Sequence, residues 1–338
     1  MNTFVDVFTG SVPVGRVPVG LRALDDLRRI LDEVTPLQRY IAEEIATDHV
    51  DGLLSRREAM RRLALLGVSA ASATALIAAC SDERGATPAS SIASGSTGTP
   101  ASAAGTAPGM EEELPTTDIT WAGPAGELKG AWAEAADPKG AVLVIHENKG
   151  LNSWVRTVAG RLAGVGYSAL AIDLLSEEGG TATFTDPAEA TAALGKVDPQ
   201  RFVADLKSGV EELGRRAPGK KLAVVGFCFG GGLTWQLLAA GEPQLAAAVP
   251  FYGPFPDGAD LAGSKANVLG FYGALDTRVT STQDAAKTAL DKAGLNHLLV
   301  VEPNADHAFF NDSGPRYNAE AAADAWQKLQ EWFGKYLV

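Results

Sequence analysis

The chain has 338 residues, 46% hydrophobic and 21% charged, and 29 Lys and Arg against 41 Asp and Glu give a formal net charge of −12. That acidity, with no basic run and no stacking motif in a basic groove, argues against nucleic acid as a partner. The length allows two domains.

Residues 1–54 form an N-terminal extension to which no activity is assigned. They include an amphipathic stretch, Leu37 to Leu54, and over residues 1–80 nine basic side chains nearly balance ten acidic ones. Residues 55–80 read as a twin-arginine export signal. Ser55-Arg56-Arg57-Glu58-Ala59-Met60-Arg61-Arg62 precedes seventeen uncharged, mainly apolar residues, Leu63 to Ala79, and then Cys80. Ile77-Ala78-Ala79-Cys80 has the small residues of a lipoprotein cleavage site, so lipidation is expected at Cys80. An uncleaved membrane anchor is the alternative, but the segment is short and rich in Ser and Ala for a span of about 20 residues. The expected location is the outer face of the cytoplasmic membrane, reached through a lipid anchor; an unused signal would leave the chain cytoplasmic. A signal normally starts close to its arginines, so a start at Val34 would suit this one better. With Cys80 acylated, Cys228 is the sole thiol of the mature chain, and a reactive thiol in an oxidising compartment is open to oxidation. Residues 81–115, dominated by Ser, Thr, Ala, Gly and Pro, read as a disordered linker.

Residues 116–338 then form one α/β domain. Ile119 to Trp121 and Leu128 to Trp132 suggest an antiparallel opening. Short apolar runs follow at Ala141 to Ile145, Tyr167 to Ile172, Leu222 to Val225, Ala246 to Phe251, Val268 to Tyr272 and Leu298 to Val301. They alternate with helical patterns, as a doubly wound, mostly parallel sheet requires. Leu174 to Val197 is a polar, small-residue-rich insertion expected to border the pocket, before an amphipathic helix over Pro199 to Arg216. The remaining intervals leave no room for a large cap. Ala325, Trp326, Leu329, Trp332, Phe333 and Tyr336 recur at helical spacing and read as core.

The run Leu222 to Val225 leads into Gly226-Phe227-Cys228-Phe229-Gly230-Gly231, a nucleophile elbow carrying cysteine. A strand that turns sharply into a helix needs glycine two residues before and after the nucleophile, because neighbouring backbone leaves no room for a Cβ. An acid and then a histidine must follow at the ends of later strands. Asp276 follows the run Val268 to Tyr272. His307 follows Leu298 to Val301 through Glu302-Pro303-Asn304-Ala305-Asp306, and is the best placed of four histidines. The glycine-rich turn lacks the Lys-Ser/Thr of a phosphate loop and the G-x-G of a dinucleotide turn. His146-Glu147 lacks the second histidine of H-E-x-x-H, since position 150 is glycine. No cofactor and no metal is expected.

On these residues Thr116 to Val338 resembles the dienelactone hydrolase family, α/β-hydrolases with a Cys-His-Asp triad. The intervals of 48 residues from Cys228 to Asp276 and 31 from Asp276 to His307 are similar to the family's. The resemblance extends to His146-Glu147-Asn148-Lys149-Gly150: a family glutamate here contacts the resting thiol and helps form the thiolate, and Glu147 holds its place. The N–H groups of Asn148 and Phe229 are the candidate oxyanion donors, and His146 reads as a satisfied structural histidine. Members acting on dienelactone hold its carboxylate with two arginines, one four residues after the catalytic histidine. Here that position is Asn311, and no arginine lies between Arg161 and Arg201, which implies a neutral ester or lactone substrate in a pocket that Phe309 and Phe310 make less charged. The reading is a membrane-tethered carboxylic ester hydrolase. A surface lipoprotein that keeps the fold for binding or scaffolding, and thiol redox chemistry, are the alternatives. Neither needs Asp276 and His307 in triad order.

Overall fold

The structure, a computed structural model, describes residues 35–85 and 106–338. Residues 1–34 of the extension and 86–105 of the expected linker lie outside the described residues. The chain divides into two compact units, Met1–Ala89 and Ser90–Val338.

The first unit holds three helices that pack on one another, α1 (Pro36–Val50), α2 (Arg56–Leu65) and α3 (Ala70–Gly85). Thr35 and Gln38 close a capping box on α1: each side-chain oxygen accepts from the other's backbone N–H, at 3.1 and 3.0 Å. Ser55 caps α2, and Glu58 takes Arg61 at 2.8 Å and Arg62 at 2.7 Å. The apolar run Leu63 to Ala79 is not continuous. Gly67 at φ 86° ends the turn after α2, and the run splits between two helices. Among the described residues no helix is long and apolar enough to cross a membrane.

The second unit is built on one eight-stranded sheet. Its strands are β1 (Thr117–Ala122), β2 (Glu127–Ala133), β3 (Gly140–Ile145), β4 (Tyr167–Asp173), β5 (Leu222–Phe227), β6 (Leu245–Phe251), β7 (Asn267–Gly273) and β8 (His297–Glu302), in the order β1-β2-β4-β3-β5-β6-β7-β8. β1 and β2 form the expected antiparallel opening, β2 is antiparallel to β4, and β3 to β8 are mutually parallel where they pair. All seven expected strands from β2 onward are present, each within two residues of its expected ends.

The helices of this unit are α4 (Ser153–Gly164), α5 (Pro187–Leu194), α6 (Pro199–Arg216), α7 (Phe229–Ala239), α8 (Thr277–Thr280), α9 (Gln283–Ala293) and α10 (Ala319–Tyr336). From β3 the chain winds one way to β4 through α4, then back the other way from β5 to β8. Right-handed crossovers in opposite directions put α4 on one face and α6, α7 and α9 on the other. This is an α/β-hydrolase fold, without a large cap among the described residues. Such sheets bind ligands beyond the carboxyl ends of the strands where the winding reverses, here β3 and β5. Every residue of β3, β4 and β5 is buried. At about 1.5–3 kcal/mol for each fully buried Val, Leu or Ile, these strands are the best-anchored support for a site.

Two boundaries need correction. Residues 81–85, expected in the linker, continue α3. Residues 106–115, also expected there, lie in part along α4, where Leu114 N–H donates to Gly160 O at 3.1 Å. A Cβ on Gly164 would stand 1.9 Å from Glu112 O and one on Gly160 2.3 Å from Leu114 O, so this glycine pair makes the groove that holds the segment. The insertion Leu174 to Val197 contains two 3-10 turns and α5. Asp173 anchors it by accepting from Leu175 N–H at 3.0 Å and Thr181 N–H at 2.7 Å. Thr181 Oγ1 in turn accepts from Leu151 N–H at 2.9 Å, which sets the insertion beside the segment that follows β3.

Candidate active site

β5 ends at Phe227 and α7 begins at Phe229, so Cys228 carries the whole change of direction, at φ 56° and ψ −116°. A non-glycine residue held there costs about 1–3 kcal/mol and persists only where its surroundings over-determine it. They do: Cys228 N–H donates to Phe251 O at 3.0 Å, and a Cβ on Gly226 would lie 2.0 Å from Gly230 O. The side chain of Cys228 is buried at the N-terminus of α7, beside the positive end of the helix dipole. Phe229 is the first residue of that helix, so its N–H has no acceptor within it.

Asp276 and His307 meet as the chain order required. His307 Nδ1 donates to Asp276 Oδ2 at 2.6 Å, and both residues are buried. Asp276 Oδ1 also accepts from Val279 N–H at 3.2 Å, capping α8. The two loops are joined by Leu275 N–H donating to Ala305 O at 2.9 Å, and left-handed backbone at Asn304 and Ala308 brackets the histidine. Burial alone would raise the carboxyl of Asp276, but His307, Arg278 and the Val279 amide outweigh it and hold it low. Burial likewise opposes charge on His307. The charges of Asp276 and Cys228 overcome that and hold the imidazolium well above its usual range. The Cys228 sulfur lies within 4.8 Å of a ring nitrogen of His307.

β3 brings the third group. Ile145 pairs with Gly226 across the β3–β5 ladder, and two residues beyond each come Glu147 and Cys228. Glu147 is buried, not solvated. Its Oε2 accepts from Asn311 Nδ2 at 2.8 Å and its Oε1 from the Tyr252 hydroxyl at 3.4 Å. Asn311 Oδ1 accepts from Ser313 N–H at 3.0 Å and Ser313 Oγ at 2.6 Å, which turns the amide nitrogen toward Glu147. Asn148 is buried next in the chain. His146 is satisfied within the fold: Nε2 accepts from Leu174 N–H at 3.1 Å, so Nδ1 carries the proton and donates to Glu147 O at 2.6 Å. Burial pushes its imidazole down, in keeping with a neutral ring.

Cys228, Asp276, His307, Glu147, Asn148 and Phe229 thus stand at one edge of the sheet. Cys80 belongs to α3 in the first unit. Phe309 and Phe310 are buried in the core behind the site, Phe310 stacking on Phe227 with centroids 5.7 Å apart. Of the cations that could serve an anionic substrate, Arg201 is committed to both oxygens of Glu178 at 2.7 and 2.9 Å, and Arg161 to Asp312 at 2.9 Å.

Tyr252 is the residue that sequence reasoning missed. It follows β6 directly, is fully buried, has φ 36°, and its ring meets His307 edge-on with centroids 5.3 Å apart. The available signal was its place, one residue past a strand that pairs with the strand leading into Cys228. Burial, with Glu147 and Cys228 nearby, pushes its phenol well above the ordinary range, so the hydroxyl stays a donor.

A sequence model of the Dienelactone hydrolase family matches residues 128–337. A protein of Methylorubrum extorquens named "Putative carboxymethylenebutenolidase" is 36% identical over 218 residues, 60% of this chain and 74% of that protein. One of the same name from Escherichia coli K12 is 34% identical, covering 59% of this chain and 78% of its own. Among solved structures, a dienelactone hydrolase-like promiscuous phosphotriesterase from metagenomic libraries superposes with a TM-score of 0.57 at 25% identity. That match covers 67% of this chain and all of the other.

Proposed function

Because the chain belongs to the dienelactone hydrolase family and is a hydrolase, we propose that it cleaves neutral carboxylic esters or lactones through a thioester on Cys228. The observation that carries this reading is the strained cysteine at the elbow, next to a histidine bonded to a buried aspartate at 2.6 Å.

His307 holds the thiol proton as imidazolium, stabilised by Asp276, and Glu147 assists the deprotonation. The thiolate adds to the substrate carbonyl, and the N–H groups of Phe229 and Asn148 receive the oxyanion. When the tetrahedral intermediate collapses, the C–O bond breaks and His307 gives its proton to the departing alkoxide. The neutral imidazole then takes a proton from water, whose oxygen attacks the thioester. The acid leaves and the thiolate–imidazolium pair is restored.

The neutral-substrate reading rests on Asn311. An amide offers donors without the charge or planar fork that pairs with a carboxylate, and this one points at Glu147. A panel of activated esters and lactones, each in neutral and carboxylate-bearing form, tests both parts, with a neutral phosphotriester added because of the metagenomic relative. No turnover of any ester or lactone would end the reading.

We propose in addition that the chain is exported and tethered through a diacylglyceryl group on Cys80, on the support of the arginine pairs and Ile77-Ala78-Ala79-Cys80. Mass spectrometry of the mature protein should then find lipid on Cys80 and none of residues 1–79. A membrane-bound species retaining Arg56 and Arg57 would favour an uncleaved anchor.

A further inference from the structure

Tyr252 occupies a backbone conformation that an aromatic residue rarely adopts, and the fold works to keep it there. Its N–H donates to Phe271 O at 2.7 Å, while the preceding carbonyl accepts from Cys228 N–H at 3.0 Å. Behind it Gly253 lies so close to the start of α7 that a Cβ would stand 2.2 Å from Gly231 C. The strained tyrosine and the strained cysteine are therefore locked to each other through backbone. The ring is clamped edge-on between His307 and Phe309, with centroids at 5.3 and 5.4 Å. A residue needed only for packing could occupy this volume without a hydroxyl. This one spends its polar end on Glu147 Oε1, opposite the oxygen held by Asn311.

We propose that Tyr252 is a positioning residue whose hydroxyl steadies the Glu147 carboxylate on the Cys228 side, so that Glu147 can assist formation of the thiolate. The inference rests on the reading of Cys228 as nucleophile. Asn311 fixes one carboxylate oxygen firmly; the longer contact from Tyr252 keeps the other from turning away, yet leaves it able to engage the sulfur. The phenol supports this because it remains protonated beside both Glu147 and Cys228.

The test is a double-mutant cycle on the full chain, read by the rate at which iodoacetamide alkylates the peptide containing Cys228. Tyr252→Phe should slow alkylation about tenfold in the wild-type background, the size expected for a lost hydrogen bond to a charged group. In a Glu147→Gln background the same change should cost less than about twofold, because the partner is already gone. With an ester substrate, kcat should fall and KM should hold. Replacement of Tyr252 by 3-fluorotyrosine keeps the shape and the donor, and should retain most of the wild-type rate. An equal loss in both backgrounds, no loss in either, or an equal loss with fluorotyrosine and phenylalanine would overturn the proposal. Alkylation needs no ester turnover, so a chain that hydrolyses nothing but shows the coupling would refute the proposed function and leave the role of Tyr252 standing.

Discussion

Asn311 donates to Glu147 at 2.8 Å, across 164 residues of chain. The bond commits a neutral amide, at the position where the family resemblance places a carboxylate-binding arginine, to the buried carboxylate two residues beyond β3.

Relative to a family member with both arginines, a substrate carboxylate here lacks two charge-assisted hydrogen bonds, each about 1.5–3 kcal/mol, which weakens its binding by about two to four powers of ten, and it approaches an acidic side chain. In a matched pair of equal size, kcat/KM for the neutral ester should exceed that for the anionic one. A clear preference for the anionic member would contradict this and would give Lys149, Lys196, Arg201 or Arg316 the missing charge.

Asp276→Asn should preserve the fold and remove the charge that holds the imidazolium. Asparagine can donate to Nδ1, which favours the wrong tautomer, so kcat should drop by on the order of 10²–10⁴. The pH profile carries a second sign: with the imidazolium no longer held up, its loss should begin at a lower pH than in the wild type. A variant that keeps both rate and profile would remove Asp276 from the account.

The clustering of Cys228, Asp276 and His307 was legible in the sequence because its signals are local or ordinal. Gly226 and Gly230 mark the elbow by spacing, and Asp276 and His307 were found from strand ends and chain order alone. Tyr252 and the Asn311–Glu147 bond were not legible, because each depends on pairing between distant segments: the β5–β6 register that puts Phe227 beside Phe251, and a loop that returns over β3. The linker's end was misread for a similar reason. Residues 106–115 have a linker's composition, and the Gly160–Gly164 groove on α4 gives part of them a place to pack. Glu147 was singled out by its place after β3, but its two partners, from β6 and the histidine loop, were not.

Stability should fall as pH rises from about 4.5 through 7 because of Glu302. This carboxyl ends β8 and is buried against Asp324; burial first, then the hydrogen bond and charge of Asp324, push it up to about 7. A raised folded-state value gives stability that is complete below the unfolded value near 4.5 and is lost as pH climbs through 7. Glu302→Gln should therefore gain on the order of 1–3 kcal/mol relative to wild type at pH 9 and little at pH 4. Denaturant melts at the two pH values check it, and an equal effect at both would refute the assignment.

The most direct test of the central claim is kcat/KM for a neutral activated ester, wild type against Cys228→Ala. Loss of the nucleophile should cost at least ~10³-fold, with iodoacetamide on Cys228 reproducing the loss in the wild type. Activity near the wild-type level in Cys228→Ala would mean that the bond is broken by some other group, and that the strained elbow at Cys228 is not where the chemistry occurs.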